Sequence, residues 1–132
     1  FSIVKETVNN KPDGFVIAST SNDLTVTAIE RAMASGIPVV TLDNQISTDH
    51  IVCFMGTDSR VAAGNAAASM LSDWEANGVD YSRGKVLIIN SCKSSKVDLD
   101  RDAGFTAKMH DIAPAVSFFE TQYVENDPDL TA

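Results

Sequence analysis

The chain has 132 residues, enough for one domain or for parts of two, and 44% of them are hydrophobic, as in an ordinary globular protein. Lysine and arginine number 10 against 18 aspartates and glutamates, so the net charge is −8. Because binding to nucleic acid requires a basic face that displaces counterions from phosphates, this balance argues against a nucleic-acid partner. No segment approaches the roughly 20 apolar residues of a membrane-spanning helix.

Helix and strand patterns alternate through the first half of the chain. SIVKETVNN has apolar residues at helical spacing, and the turn cluster KPDG follows it. GFVIAS predicts a short strand, and SNDLTVTAIERAMASG predicts a helix that begins at capping residues and ends at Gly36. IPVVTLD and HIVCFMG then predict two strands with a short loop between them.

The second half of the chain repeats this alternation. TDSRVAAGNAAASMLSDWEANG predicts a helix that ends at Gly78, and its small residues between Ala62 and Ala67 indicate close packing onto a sheet. KVLIIN, SKVDLDRDAGFTAKMHDI and AVSFFETQYV predict a strand, a helix and a strand. Strands that alternate with helices are typical of βαβ units, so we predict an α/β fold with doubly wound parallel sheets. The chain begins on a helix and ends after a strand, which indicates a fragment of a longer protein.

The stretch GIPVVTLDNQ supports both a structural and a functional prediction. Its continuous run of apolar and β-branched residues, without polar alternation, predicts a parallel strand with helices on both faces, in which Val39, Val40 and Leu42 are almost fully buried. The run stops at Asp43 and Asn44, and open parallel sheets bind their ligands at the carboxyl ends of the strands. A carboxylate at this place can accept two hydroxyl hydrogen bonds. The alternative is an ordinary strand terminus that turns into solvent.

The cysteine and histidine residues indicate no special chemistry. Cys53 and Cys92 fit neither a metal-binding motif nor a disulfide framework, and a bridge between them is not favoured. Since Cys53 lies in an apolar run, we expect its thiol to be buried and inert. His50 and His110 lack the neighbours that would make a metal site. The sequence contains no G-x-G-x-x-G, P-loop or G-x-S-x-G motif, so it predicts neither an enzyme nor a cofactor.

Five segments together resemble a known family. In chain order they are KPDGFVIAST, AIERAMASGIPVVTLDN, FMGTDSRVAAGNAAASML, GKVLIIN and DRDAGF. Their order and spacing resemble the type 1 periplasmic binding proteins of the ribose-binding kind, the sugar-capturing subunits of bacterial ABC transporters. The resemblance extends from Lys11 to Asn126. Each segment is a weak signal alone, and the specificity comes from finding all five in the order of the family.

The resemblance implies two lobes with Rossmann-like or flavodoxin-like sheets, joined by a hinge and closing on a ligand held between them. The chain would cross between the lobes near Thr57 and Asp58. Residues 1–57 would then form the later part of the N-terminal lobe, and residues 58–132 the early part of the C-terminal lobe. We expect such a fragment to expose sheet edges and apolar faces, and therefore to self-associate or to pair with the remainder of the protein.

The resemblance also implies five ligand-binding residues. Asp43 matches the acid that grips the sugar from the first lobe, with a capping residue as the alternative. Asn44 follows it at a position where some relatives use arginine, and it is otherwise a turn residue. Arg101 matches the second-lobe arginine that donates to the sugar ring oxygen and hydroxyls. Otherwise it is a surface arginine paired with Asp98 or Asp102, of which only Asp98 is at helical spacing. Asp98 lies in a segment that lines the cleft of the family, where it departs from the small and amide residues often found there, so the ligand need not be plain ribose. Asn126 falls near a cleft position, although a turn at ENDP explains it better.

The implied function is capture of a sugar or a similar small polar ligand for an ABC transporter, with a membrane permease as partner and no enzymatic activity. The implied location is periplasmic or extracellular, with a lipid anchor left open. One alternative is the effector-binding core of a transcription regulator of the lactose-repressor family, which shares this core. The segment YSRGKVLII lacks the GH-R-I run of such regulators, which favours transport. A second alternative is the sugar-sensing ectodomain of a signalling system.

Overall fold

Helices and strands alternate along the chain in the computed structural model, which describes residues 2–18, 23–46, 48–125 and 127. The helices are α1 (Ser2–Asn9), α2 (Asp23–Ala34), α3 (Ser59–Ala76) and α4 (Lys96–Ile112). The strands are β1 (Phe15–Ala18), β2 (Val39–Leu42), β3 (Cys53–Met55), β4 (Lys85–Val86), β5 (Ile89–Asn90), β6 (Ser117–Phe118) and β7 (Gln122–Tyr123). None of the described helices is both long and apolar enough to span a membrane.

The chain divides into two compact units, residues 1–57 and 58–132. In the first unit, β1, β2 and β3 form a parallel sheet with β2 in the centre, and Val40 is in register with Val16 and Cys53. In the second unit, β4 pairs with β6 and β5 pairs with β7, again in parallel. The predicted parallel α/β class is therefore confirmed. The assignment of the units to particular lobes stays a prediction.

One face of the first sheet carries the core of the first unit. Helices α1 and α2 contribute to this core together with β2 and the loop that follows it. Its buried residues are Val8, Ile29, Ala32, Ile37, Val39 and Ile46. Along β2 the burial alternates, because successive side chains of a strand point to opposite faces. Val39 and Thr41 are fully buried, whereas Val40 and Leu42 are only half-buried.

The opposite face of this sheet is largely open, which contradicts two predictions. Val40 and Leu42 are not almost fully buried, and Cys53, expected to be a buried thiol, is exposed. The register places these three residues on the same face as Val16 and Met55, which are 61% and 59% exposed. Both helices of the first unit pack on the other face, and no described helix of that unit covers this one. The expected self-association of the chain stays a prediction, which this open apolar face motivates.

Replacement of Thr41 with valine should stabilise the first unit. The Thr41 hydroxyl is fully buried and has no hydrogen-bond partner among the described residues, so folding removes it from water without compensation. Valine has nearly the same shape, and we expect the free energy of unfolding to rise by about 1 kcal/mol in urea titrations. As a control, Thr7→Val removes a surface hydroxyl that donates to the Ile3 carbonyl at 2.9 Å, and it should give no gain. A loss of stability in Thr41→Val would show that the hydroxyl has a partner.

The second unit is built on the packing of α3 against α4. Its buried core residues are Ala67, Leu71, Val86, Met109, Ala113 and Val116. Both helices begin at side-chain caps: the Asp58 carboxylate accepts from the Val61 amide at 3.0 Å, and the Ser95 hydroxyl accepts from the Asp98 amide at 3.3 Å. The two predicted strands of this unit are each divided, into β4 and β5 and into β6 and β7.

Candidate functional site

The carboxyl end of the central strand β2 presents Asp43 and Asn44. Asp43 is exposed and Asn44 is half-buried. The Asp43 amide donates to the Met55 carbonyl at 2.9 Å, which extends the β2–β3 ladder by one bond beyond the strand. Asp43 therefore lies at the carboxyl edge of a parallel sheet, where α/β folds bind their ligands.

The backbone at Asp43 is strained. Its φ angle is +64°, in the left-handed region, and the Asn44 amide donates to the Leu42 carbonyl at 2.8 Å. A hydrogen bond from the amide of residue i+2 to the carbonyl of residue i, with a positive φ at the residue between them, defines the rare and strained form of the γ-turn. Such strain is frequent at functional sites, and aspartate tolerates it better than most residues do. This turn and the bond from the Asp43 amide to the Met55 carbonyl together hold Asp43 at the sheet edge.

In the second unit, the start of α4 is held to the loop after β5 through Asp98. This residue is only 5% exposed. One oxygen of its carboxylate accepts from the Ser91 hydroxyl at 2.5 Å and from the Cys92 amide at 3.1 Å. The other oxygen lies 3.5 Å from the Arg101 guanidinium. The Asp98 carboxylate is therefore engaged on both sides within its own unit.

Arg101 lies one turn further along α4. Its side chain is 58% exposed, and the structure confirms that it pairs with Asp98 at the spacing of three residues. This pair matches the alternative interpretation of Arg101 as a paired surface arginine. The pairing does not exclude ligand binding, because a guanidinium carries five donors and Asp98 is near only one of its nitrogens.

A second polar cluster lies beside Arg101 and was not predicted from the sequence. The Asn90 amide group, at the end of β5, donates to the Asp98 carbonyl at 2.9 Å and to the Asp102 carboxylate at 2.7 Å. The other oxygen of Asp102 accepts from the Tyr123 hydroxyl at 2.7 Å, at the end of β7. The hydrogen bond to Asp102, together with burial, raises the pKa of Tyr123 to about 12. The tyrosine is thus a neutral donor throughout the physiological pH range.

A cavity of about 550 Å³ in the second unit has a different character. Asn90, Arg101 and Asp102 supply its polar lining, and the other lining residues are apolar: Ala62, Ala63, Ala66, Met70, Val86, Leu87, Ile88, Ile89 and Phe105. The cavity is therefore polar where it borders Asn90, Arg101 and Asp102 and apolar elsewhere. Among the described residues, no group of three or more His, Cys, Asp and Glu side chains could hold a metal ion.

The five predicted site residues are therefore distributed over both units. Asp43 and Asn44 are adjacent in the first unit, and Asp98 and Arg101 are in contact in the second. Asn126 lies outside the residues that the structure describes. In each unit, the candidate residues lie at or near the carboxyl ends of parallel strands, which is the position expected of a ligand site.

Comparison with known proteins identifies the fold independently. The whole chain, residues 1–132, matches the family described as periplasmic binding protein domain. No curated protein sequence matches it. A solute-binding protein of an ABC transporter from Burkholderia graminis, in complex with D-arabinose, is 22% identical over 98% of this chain and 42% of its own, with a TM-score of 0.84. A similar protein from Agrobacterium vitis with bound D-fucose is 24% identical over 94% and 41%, with a TM-score of 0.79.

A third solved structure is the fructose-binding periplasmic domain of a hybrid two-component system. It is 18% identical over 95% of this chain and 39% of its own, with a TM-score of 0.81. The chain thus spans between 39% and 42% of the length of these structures. The TM-scores of 0.79 to 0.84, at identities below 25%, show a shared fold. The family match extends over every residue. The chain therefore belongs to the periplasmic binding protein family and has the type 1, ribose-binding-like fold.

Proposed function

We propose that the protein is an extracytoplasmic solute-binding protein that holds a sugar or a similar small polar ligand between two lobes. The observation that carries this proposal is the position of Asp43, an exposed carboxylate at the carboxyl end of the central parallel strand, in a strained turn. A carboxylate can accept hydrogen bonds from two adjacent sugar hydroxyls. The proposed activity is binding without catalysis.

In the proposal, the two units act on one ligand from opposite sides. Residues 1–57 belong to the N-terminal lobe and contribute Asp43 and Asn44, and residues 58–132 belong to the C-terminal lobe and contribute Arg101. The exposed guanidinium of Arg101 supplies donors, which complement the acceptors of Asp43. The predicted ligand contact of Asp98 stays a prediction. Its burial and its ion pair support a role exerted through Arg101.

The solved relatives support sugar as the ligand class and an ABC transporter permease as the partner. Two of them are solute-binding proteins of ABC transporters, one in complex with D-arabinose and one with D-fucose. Membership of a periplasmic binding protein family supports a location outside the cytoplasm. Delivery of the ligand to a membrane permease is the finer part of the proposal.

A sensory function is the second candidate. It is favoured by one specific observation, the similarity to the fructose-binding periplasmic domain of a hybrid two-component system. Ligand capture is the same in both functions. They differ in the partner that recognises the closed, ligand-bound protein: a membrane permease in transport and a signalling kinase in sensing. Genes for a permease and an ATPase beside the coding sequence would support transport, whereas a histidine kinase fused or adjacent would support sensing.

The proposal predicts that sugars stabilise the intact protein. A ligand that binds only the native state, present at 100 times its Kd, adds about 2.7 kcal/mol of stability and should raise the Tm by about 5 °C or more. The measurement is a thermal-shift screen of pentoses, hexoses and polyols, followed by isothermal titration of each hit.

Two variants control this screen. Arg101→Ala should reduce the shift and leave weakened but measurable binding, because it removes the proposed donors of the second unit and keeps the contacts of Asp43. Arg83→Ala removes an exposed arginine that precedes β4, at the amino end of the strand, and should leave the shift unchanged. A native protein that responds to none of these compounds would contradict the proposed ligand class.

A further inference from the structure

The strand ends of the second unit are joined to α4 by a continuous polar network. Asn90 at the end of β5 and Tyr123 at the end of β7 both bond to the carboxylate of Asp102, at 2.7 Å each. All three residues are half-buried. Both polar atoms of the Asn90 side chain have further partners: the amide nitrogen also donates to the Asp98 carbonyl, and the side-chain oxygen accepts from the Ser91 amide. The network thus fixes three separate segments of the chain to one another.

Arg101 lies between the two anchored acids of α4. Asp98 and Asp102 are four residues apart, so they share one face of the helix, and both face the strand ends. Hydrogen bonds at two successive turns restrain rotation of the helix about its axis and movement along it. They therefore restrain the backbone that carries Arg101, while its guanidinium stays exposed beside Asp98.

We propose that Tyr123, acting through Asp102, is a positioning residue that orients Arg101 for the ligand. This inference rests on the proposed function, since it deepens the role of Arg101 in that site. A donor that is already held in its binding orientation loses less conformational freedom when the ligand arrives, so affinity increases without a new contact. Tyr123 itself does not touch the ligand in this scheme.

The tyrosine is suited to this role because of its chemistry. A carboxylate can only accept hydrogen bonds, and the neutral hydroxyl of Tyr123 provides a donor without adding a charge to a site that already contains Asp98, Asp102 and Arg101. The Lys93 ammonium lies 5.2 Å from the centre of the Tyr123 ring, a contact that phenylalanine would retain. Tyr123→Phe therefore removes one hydrogen bond and little else.

A double-mutant cycle on sugar affinity tests the proposal in the intact protein. With the best sugar from the thermal-shift screen, Tyr123→Phe should weaken binding about tenfold in isothermal titration. In an Arg101→Ala background the same substitution should have no further effect, since the residue acts through Arg101. Equal weakening in both backgrounds would show that Tyr123 acts independently of Arg101, and no weakening in either would also overturn the proposal.

The chain offers a matched control for loss of a tyrosine hydroxyl. Tyr81 donates to the Glu75 carboxylate at 3.2 Å and stacks on Trp74, in the same unit, and neither partner belongs to the Asp98–Asp102 network. Tyr81→Phe should leave sugar affinity unchanged. If it weakens binding as much as Tyr123→Phe does, the effect is a general loss of stability and the proposal is wrong.

A measurement without ligand separates failure of this inference from failure of the proposed function. The NMR order parameter of the Arg101 side-chain Nε–H group should fall in Tyr123→Phe and in Asp102→Asn, and should not change in Tyr81→Phe. Unchanged order in the first two variants overturns the positioning role, whatever sugars do. If order falls but no sugar binds the native protein, the network positions Arg101 and the ligand class is wrong.

Discussion

Gly104→Ala is expected to destabilise the second unit strongly. Gly104 is buried on α4 where that helix approaches α3. A Cβ atom at this position would lie 2.8 Å from the carbonyl carbon and from the Cα of Arg60, and closer still to the carbonyl oxygen. These are backbone atoms, so a rotamer change cannot relieve the overlap and the helices must separate. We expect a loss at or above the upper end of the range of about 1–3 kcal/mol for overpacking, measured by urea unfolding.

Gly64 provides the matched control on the facing helix. A Cβ at Gly64 would have its nearest neighbour at 3.6 Å, the Cβ of Lys108, which is an ordinary contact distance. Because alanine favours the helix interior by about 1 kcal/mol over glycine, Gly64→Ala should be neutral or stabilising. Equal effects at the two positions would contradict the close approach of α3 and α4 at Gly104.

The glycine pair shows what the sequence pattern could and could not reveal. The small residues of α3 predicted a helix packed closely onto a sheet. In the structure, Gly64 approaches Gly104 and Lys108, so the close contact at this point is with another helix. A run of small residues indicates that a neighbour comes close and does not indicate which element it is. The segment DRDAGF carries the family resemblance, and the physical reason for its glycine is the close approach of α3, which the segment itself does not indicate.

The element order was predictable because apolar periodicity and capping residues are local. The burial of individual strand residues was not. The apolar run at Val39 and Val40 predicted helices on both faces of the sheet, whereas the described helices of the first unit, α1 and α2, pack on one face. The prediction that the Cys53 thiol is buried was wrong for the same reason. Whether an apolar face is covered depends on elements elsewhere, which a single run of residues does not encode.

The candidate site divides in the same way. Asp43 and Arg101 were accessible to sequence reasoning because one follows an obvious strand and the other lies in a recognisable segment. The bond between Tyr123 and Asp102 joins residues 21 positions apart, and it exists because the ends of β5 and β7 are in register beside α4. A tyrosine or asparagine that closes a predicted strand was the available signal, and it is too common to distinguish a network from a strand terminus.

Replacement of Asp43 with asparagine should have the largest effect on ligand affinity. In the proposed site, its carboxylate accepts two hydroxyl bonds, and an amide can accept through only one atom while presenting donors where the ligand also presents donors. Loss of a charged partner in a desolvated site costs about 2–5 kcal/mol, so the Kd should rise by about 30-fold to about 4,000-fold in isothermal titration. The change should appear in affinity while the melting temperature of the ligand-free protein stays near that of the native chain.

The choice of asparagine follows from the backbone. Asp43 has a φ angle of +64°, and asparagine is among the few residues that adopt this region readily, whereas alanine would add strain to the turn. Asp43→Ala would therefore combine a folding effect with a binding effect, and Asp43→Asn isolates the charge. Asp13→Asn is the control: it changes an exposed aspartate of the same unit that precedes β1, at the amino edge of the sheet, and should not alter affinity. If Asp43→Asn binds sugar as tightly as the native protein, the strained turn after β2 is an ordinary strand terminus and the ligand is held elsewhere.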